Sequence, residues 1–183
     1  GADAGASGEG GATSGAGGAS EGGAGGAANL CEEYCEVVTR NCSGALAVYT
    51  SEEVCLRACA VLPQGTRGDT SGNSVACRLD HARQIDLIGE AATQCPIAGP
   101  GGAGICGENC AGFCEIRRGI CEADLDLAEC NEECSALQDL GGYTVAVTDG
   151  PTVQCRLYHV SAATFGTAVH CPHAAGIGPC AAP

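Results

Sequence analysis

The chain contains no lysine, no methionine and no tryptophan, and only two phenylalanines and four tyrosines in 183 residues. So few large side chains cannot fill one conventional core, and covalent cross-links must replace packing. Without lysine, covalent catalysis through a lysine amine is excluded. No apolar run approaches 18 residues, so no membrane span is expected. Two cysteines are never three positions apart, which removes the CxxC knuckle of structural zinc sites and the CxxCH word of covalent haem attachment. GxSxG, Walker A and dinucleotide fingerprints are missing as well. Position 1 is Gly rather than Met, so the chain reads as a processed product or a trimmed piece of one.

Sixteen cysteines, 30 glycines and a net charge of −14 are what the chain does have. That cysteine density marks a disulfide scaffold made in an oxidising compartment. The negative charge repels phosphate backbones, so no nucleic-acid partner is expected. Residues 1–28 are 12 Gly, 9 Ala, four Ser or Thr and three acids, with nothing apolar larger than Ala. Such a segment buries too little to offset its ordering entropy and reads as a disordered tether. A tether of this kind suits a domain held off a surface, with a lipid anchor upstream of Gly1 as one expectation.

The remainder divides into two copies of one pattern, residues 29–106 and 107–183. Cys31, Cys35, Cys42, Cys55, Cys59, Cys77, Cys95 and Cys106 match Cys110, Cys114, Cys121, Cys130, Cys134, Cys155, Cys171 and Cys180 in order. Cys77-Arg78-Leu79-Asp80-His81 aligns with Cys155-Arg156-Leu157-Tyr158-His159. Cys95-Pro96-Ile97-Ala98 aligns with Cys171-Pro172-His173-Ala174, and Tyr34 with Phe113. This is the signature of a tandem duplication.

The expected fold is all-α and disulfide-rich, with three helices per copy. Cys31, Cys35 and Cys42 share one helix face, as do Cys110, Cys114 and Cys121. Thr50-Ser51-Glu52-Glu53 is a capping-box start for a second helix with Cys55 and Cys59, and Asp126 with Glu129 starts its counterpart. The third helices are expected near Asn73 and Pro151. Gly- and Pro-rich stretches then close each copy, and Val145 with Val147 is too short a run for a strand. Antiparallel hairpins place Cys31 opposite Cys59, Cys35 opposite Cys55, Cys110 opposite Cys134 and Cys114 opposite Cys130. The remaining eight are assigned as Cys42–Cys77, Cys95–Cys106, Cys121–Cys155 and Cys171–Cys180, although each set of eight cysteines permits 105 connectivities.

All four histidines lie in the last third of a copy: His81, His159, His170 and His173. The structural reading of His81 and His159 is an imidazole on the cysteine's own helix face, bonded to a carbonyl or carboxylate. The functional reading is a metal or haem-iron site from His159, His170 and His173, since neutral imidazole suits copper and zinc. The first copy has Gln94 and Ile97 where the second has His170 and His173. The acids from Glu122 to Glu133 lack the glycine and ligand ladder of an EF-hand and read as a solvated helix start. Arg78 and Arg156 are expected to pair with nearby acidic helices.

The twin CX3C words resemble the helical hairpins of small mitochondrial intermembrane-space chaperones and of plant α-hairpinins. Gly72-Asn73-Ser74-Val75-Ala76-Cys77-Arg78-Leu79-Asp80-His81 and His170-Cys171-Pro172-His173-Ala174, with the small-residue tail, resemble cysteine-rich surface or lipoprotein-like proteins of myxobacteria. That resemblance implies export to the outer envelope, the periplasm or the medium. The expected function is a non-enzymatic binding or structural module whose partner is a protein or an envelope glycan. The alternative is a metal- or haem-binding protein in copper handling or electron transfer. A secreted hydrolase comes third, with no catalytic residue to name.

Overall fold

The structure, a computed structural model, describes Gly1 and residues 23–182. Among the described residues there are eight α-helices, two short 3₁₀ turns and no strand. They are α1 (Gly23–Asn41), α2 (Glu52–Cys59), α3 (Val75–Ile88), α4 (Ala91–Ala98), α5 (Asn109–Ile120), α6 (Leu127–Ser135), α7 (Val153–Ala162) and α8 (Thr167–Ala174). The fold is therefore all-α, with four helices per copy rather than three. Helix α1 starts at Gly23, inside the segment read as a tether. Residues 2–22 lie outside the described residues. None of the helices is long and apolar enough to cross a membrane.

Local chemistry sets the helix starts. Ser51 accepts a hydrogen bond from the Val54 N–H, and Asp126 accepts from Ala128 and Glu129, so both caps satisfy otherwise orphaned donors. The third helices begin at Ser74 and Thr152, whose hydroxyls accept from Cys77 and Cys155. These caps sit one residue beyond the starts expected at Asn73 and Pro151.

All sixteen cysteines are paired. Cys31–Cys59, Cys35–Cys55, Cys110–Cys134 and Cys114–Cys130 clamp the two hairpins, with Cα separations of 5.7, 5.6, 5.6 and 5.9 Å. The other four assignments exchange partners. In place of Cys42–Cys77, Cys95–Cys106, Cys121–Cys155 and Cys171–Cys180, the bridges are Cys42–Cys95, Cys77–Cys106, Cys121–Cys171 and Cys155–Cys180. The reason is the register of α1 against α3. Asn41 donates to the Ala82 carbonyl at 3.0 Å, and Arg40 meets Asp86 at 3.2 Å. The end of α1 thus lies beside the middle of α3, five residues past Cys77. At 1.5 Å per residue that is about 7.5 Å, too far for a bridge. The additional helix α4 brings Cys95 to Cys42 instead, and Cys77 turns to the loop cysteine, Cys106.

The buried core is continuous across both copies. It joins Tyr34, Val38, Val48 and Leu79 of the first to Phe113, Ile116, Leu157 and Val160 of the second. The aligned pair Tyr34 and Phe113 is buried in both. Tyr34 donates to the Ala98 carbonyl at 2.6 Å and accepts from the Tyr49 hydroxyl at 3.0 Å. At Gly112 a Cβ would stand 2.1 Å from the Pro100 carbonyl oxygen, so only glycine lets α5 close on the end of the first copy. Arg57 stacks its guanidinium 4.3 Å from the Phe165 ring centroid and donates to the Thr164 carbonyl at 3.2 Å.

Candidate metal centre

The CRLxH word folds the same way twice. Arg78 is fully buried and has no carboxylate partner among the described residues. Its guanidinium donates to the carbonyls of Gly99, Ser74 and Pro100 and to Asn73 Oδ1, at 2.8–3.0 Å. Burial pulls it below the usual guanidinium range. Arg156, with Pro151 in place of that Asn, keeps one long contact to the Ala174 carbonyl at 3.4 Å, and its buried Nε has no partner. Neither arginine makes the acidic pairing expected from sequence. The carbonyls at the end of α4 take that role in the first copy.

Each histidine of the repeated word lies one turn beyond its cysteine and is buried. His81 Nε2 lies 3.2 Å from the Thr70 carbonyl, and His159 Nε2 lies 3.2 Å from the Thr148 carbonyl. Both carbonyls stand eleven residues ahead of their histidine. This identical offset, Thr70 to His81 and Thr148 to His159, is a signal present in the sequence outside the cysteine words. A carbonyl only accepts, so in the neutral ring Nε2 carries the proton and Nδ1 presents a lone pair.

What meets that lone pair separates the copies. Helix α4 delivers Gln94, whose amide is placed with Oε1 2.7 Å from His81 Nδ1 and can exchange Oε1 for Nε2 by a half-turn. An amide turned to offer its N–H satisfies the ring, and no further nitrogen stands by. Helix α8 delivers His170, whose Nδ1 lies 2.9 Å from His159 Nδ1. Pro172 occupies the same helix, and one position later His173 stands edge-on to His159, with ring centroids 4.6 Å apart. One nitrogen from each of His159, His170 and His173 lies within 4.8 Å of the other two. His173 Nδ1 is buried without a hydrogen-bond partner. A buried lone pair or N–H left unpaired is costly, so a bound group at this point would remove a penalty.

Burial, first of all, lowers the basicity of His159; the Thr148 hydrogen bond opposes this, and His173 and His170 reinforce it. His170 is lowered by burial and then by His173. Both effects favour the neutral, ligating form. Gly178, at φ +69°, lies where any Cβ would press within 3.2 Å of the His173 ring. The Cys155–Cys180 bridge holds that turn in place.

His81 does not join the other three histidines. It stands with Cys77 and Cys106, as His159 stands with Cys155 and Cys180, but those sulfurs are bridged and offer no thiolate. The His159 and His170 nitrogens lie 2.9 Å apart, a hydrogen-bond distance between the rings that would set them side by side on one ion. Axial ligands on opposite faces of a haem would stand about 4 Å apart, twice a bond of about 2 Å, so this pair does not fit haem.

Residues 22–109 match the family model of the BfoA family C-terminal domain. The matched span is just under half of the chain, and it ends at the first residue of α5. It thus covers the whole first copy of the repeat. Together with the eight bridges, it fits a cysteine-rich family. No curated protein and no solved structure matches the chain.

Proposed function

We propose that this chain is an exported, non-enzymatic, disulfide-locked module of the cell envelope that binds one late first-row transition-metal ion. His159, His170 and His173 are its ligands. The observation that carries the reading is the convergence of three imidazoles around a buried, unpartnered His173 Nδ1. Copper(II) heads the affinity order of first-row divalent ions for imidazole sites, so it is the ion of choice for the site. Eight bridges support an oxidising location. The resemblance to myxobacterial envelope proteins supports the outer envelope in particular.

The test is calorimetric titration of copper(II) into wild type and a His170→Ala/His173→Ala variant. One equivalent is expected for wild type, with affinity lost in the variant. Equal uptake by both contradicts the reading. A second reading, a docking module for a protein or envelope glycan, draws support from exposed Phe165 and Val169, on either side of Gly166 at the entrance to α8. Metal loading and docking are compatible at that end of the molecule.

A further inference from the structure

Helix α8 carries two of the three ligands and packs along α7, which carries the third, yet it touches α5 little and buries few side chains. Ala174 is its only buried residue, whereas α4 in the first copy buries Gln94, Cys95, Ile97 and Ala98. What ties α8 to α5 is the Cys121–Cys171 bridge, and Cys171 stands between His170 and His173. The counterpart Cys42–Cys95 is buried at both ends. Of the eight bridges, Cys121–Cys171 alone has both cysteines half-exposed. Access to a sulfur controls thiol–disulfide exchange, and exposed bridges are the labile ones.

We propose that Cys121–Cys171 is a thiol-sensitive latch on the metal centre, an inference that rests on the metal reading above. A dithiol reductant is the reacting partner. One thiolate attacks a bridge sulfur and forms a mixed disulfide, releasing the other cysteine as a thiolate. The second thiol of the reductant then displaces the remaining cysteine. Two electrons pass to the protein, two protons are taken up as Cys121 and Cys171 become thiols, and the reductant leaves as its disulfide. Freed from α5, α8 keeps only its packing on α7, which buries Ala174 alone; His170 and His173 are then no longer fixed against His159, and the ion is released. The buried Cys155–Cys180 bridge stays closed and keeps His159 and the Gly178 turn in place.

Two measurements test this. In the first, oxidised wild type is exposed to stepwise dithiothreitol, alkylated and mapped by mass spectrometry. Cys121 and Cys171 are expected to be the first pair labelled. Their labelling after the buried bridges overturns the latch. The second compares copper(II) affinity of wild type with a Cys121→Ala/Cys171→Ala variant, in the absence of reductant. Affinity is expected to fall roughly ten- to hundredfold, the scale seen when ligand-orienting groups are lost, with the helical circular dichroism retained. Affinity within twofold of wild type overturns the latch alone. If wild type itself takes up no copper, the metal reading fails and the latch with it. Should the variant not fold, the wild type alkylated at that single pair serves in its place.

Discussion

The two CRLxH copies differ most at single residues. Arg78 is a buried cation held by four oxygens, while Arg156 has lost the Asn and hangs from one long contact. Arg78→Ala strands the buried carbonyls of Gly99 and Pro100, while the Ser74 carbonyl keeps the backbone N–H of residue 78, and is expected to cost about 3–5 kcal/mol in chemical denaturation, the scale of breaking a buried charged network. Arg156→Ala is expected to cost less than about 1 kcal/mol. Equal losses would show that the buried carbonyl cage is unimportant. The histidines also set a pH dependence. Their ordinary value is 6.5, and His159 and His170 lie below it in the folded state. Below pH 6.5 the unfolded chain therefore binds more protons than the folded one. Metal-free protein should lose stability as pH falls through that point. In His159→Gln/His170→Gln this part of the slope should vanish. An unchanged slope between pH 7 and 5 would contradict the account.

At the scale of elements, the capped hairpins were legible because their signals are local. Ser51 and Asp126 are cap residues beside i, i+4 cysteine pairs, and helix geometry fixes the rest. Helices α4 and α8 were not legible. Each is eight residues long, each contains a proline, and neither has a side-chain cap at its start. Missing them misassigned four bridges, because α4 and α8 carry Cys95 and Cys171. The convergence of His159, His170 and His173 was legible as a set, but its reason was not. The set depends on α8 packing back on α7, with the Cys121 bridge tying α8 to the end of α5 and the Thr148 carbonyl fixing the His159 ring. The same logic predicts a transplant. Gln94→His with Ile97→His on α4 should give the first copy a site beside His81 and raise copper uptake from one equivalent to two. Ile97 is buried, so the added imidazole is expected to cost about 1–3 kcal/mol in the metal-free protein. A folded variant that still takes one equivalent would show that backbone position alone does not make the site.

For the whole molecule, cross-links take over work that a large apolar core does elsewhere. Every bridge closes within residues 31–106 or 110–180, so each copy is covalently self-contained. The apolar core nevertheless runs through both, which the cysteine spacing could not reveal because packing across copies leaves no periodic trace. Within this frame one copy stays a scaffold with an amide against its histidine, and the other presents three imidazoles. The most direct measurement of that division is the native mass of the oxidised protein after equimolar copper(II) and desalting. The expected mass is about 16 Da below that of the reduced chain, from sixteen lost hydrogens, plus one copper ion that is absent in His170→Ala/His173→Ala. The same deficit without a copper adduct on wild type, or with an adduct that survives in the double variant, would contradict a metal centre at these residues.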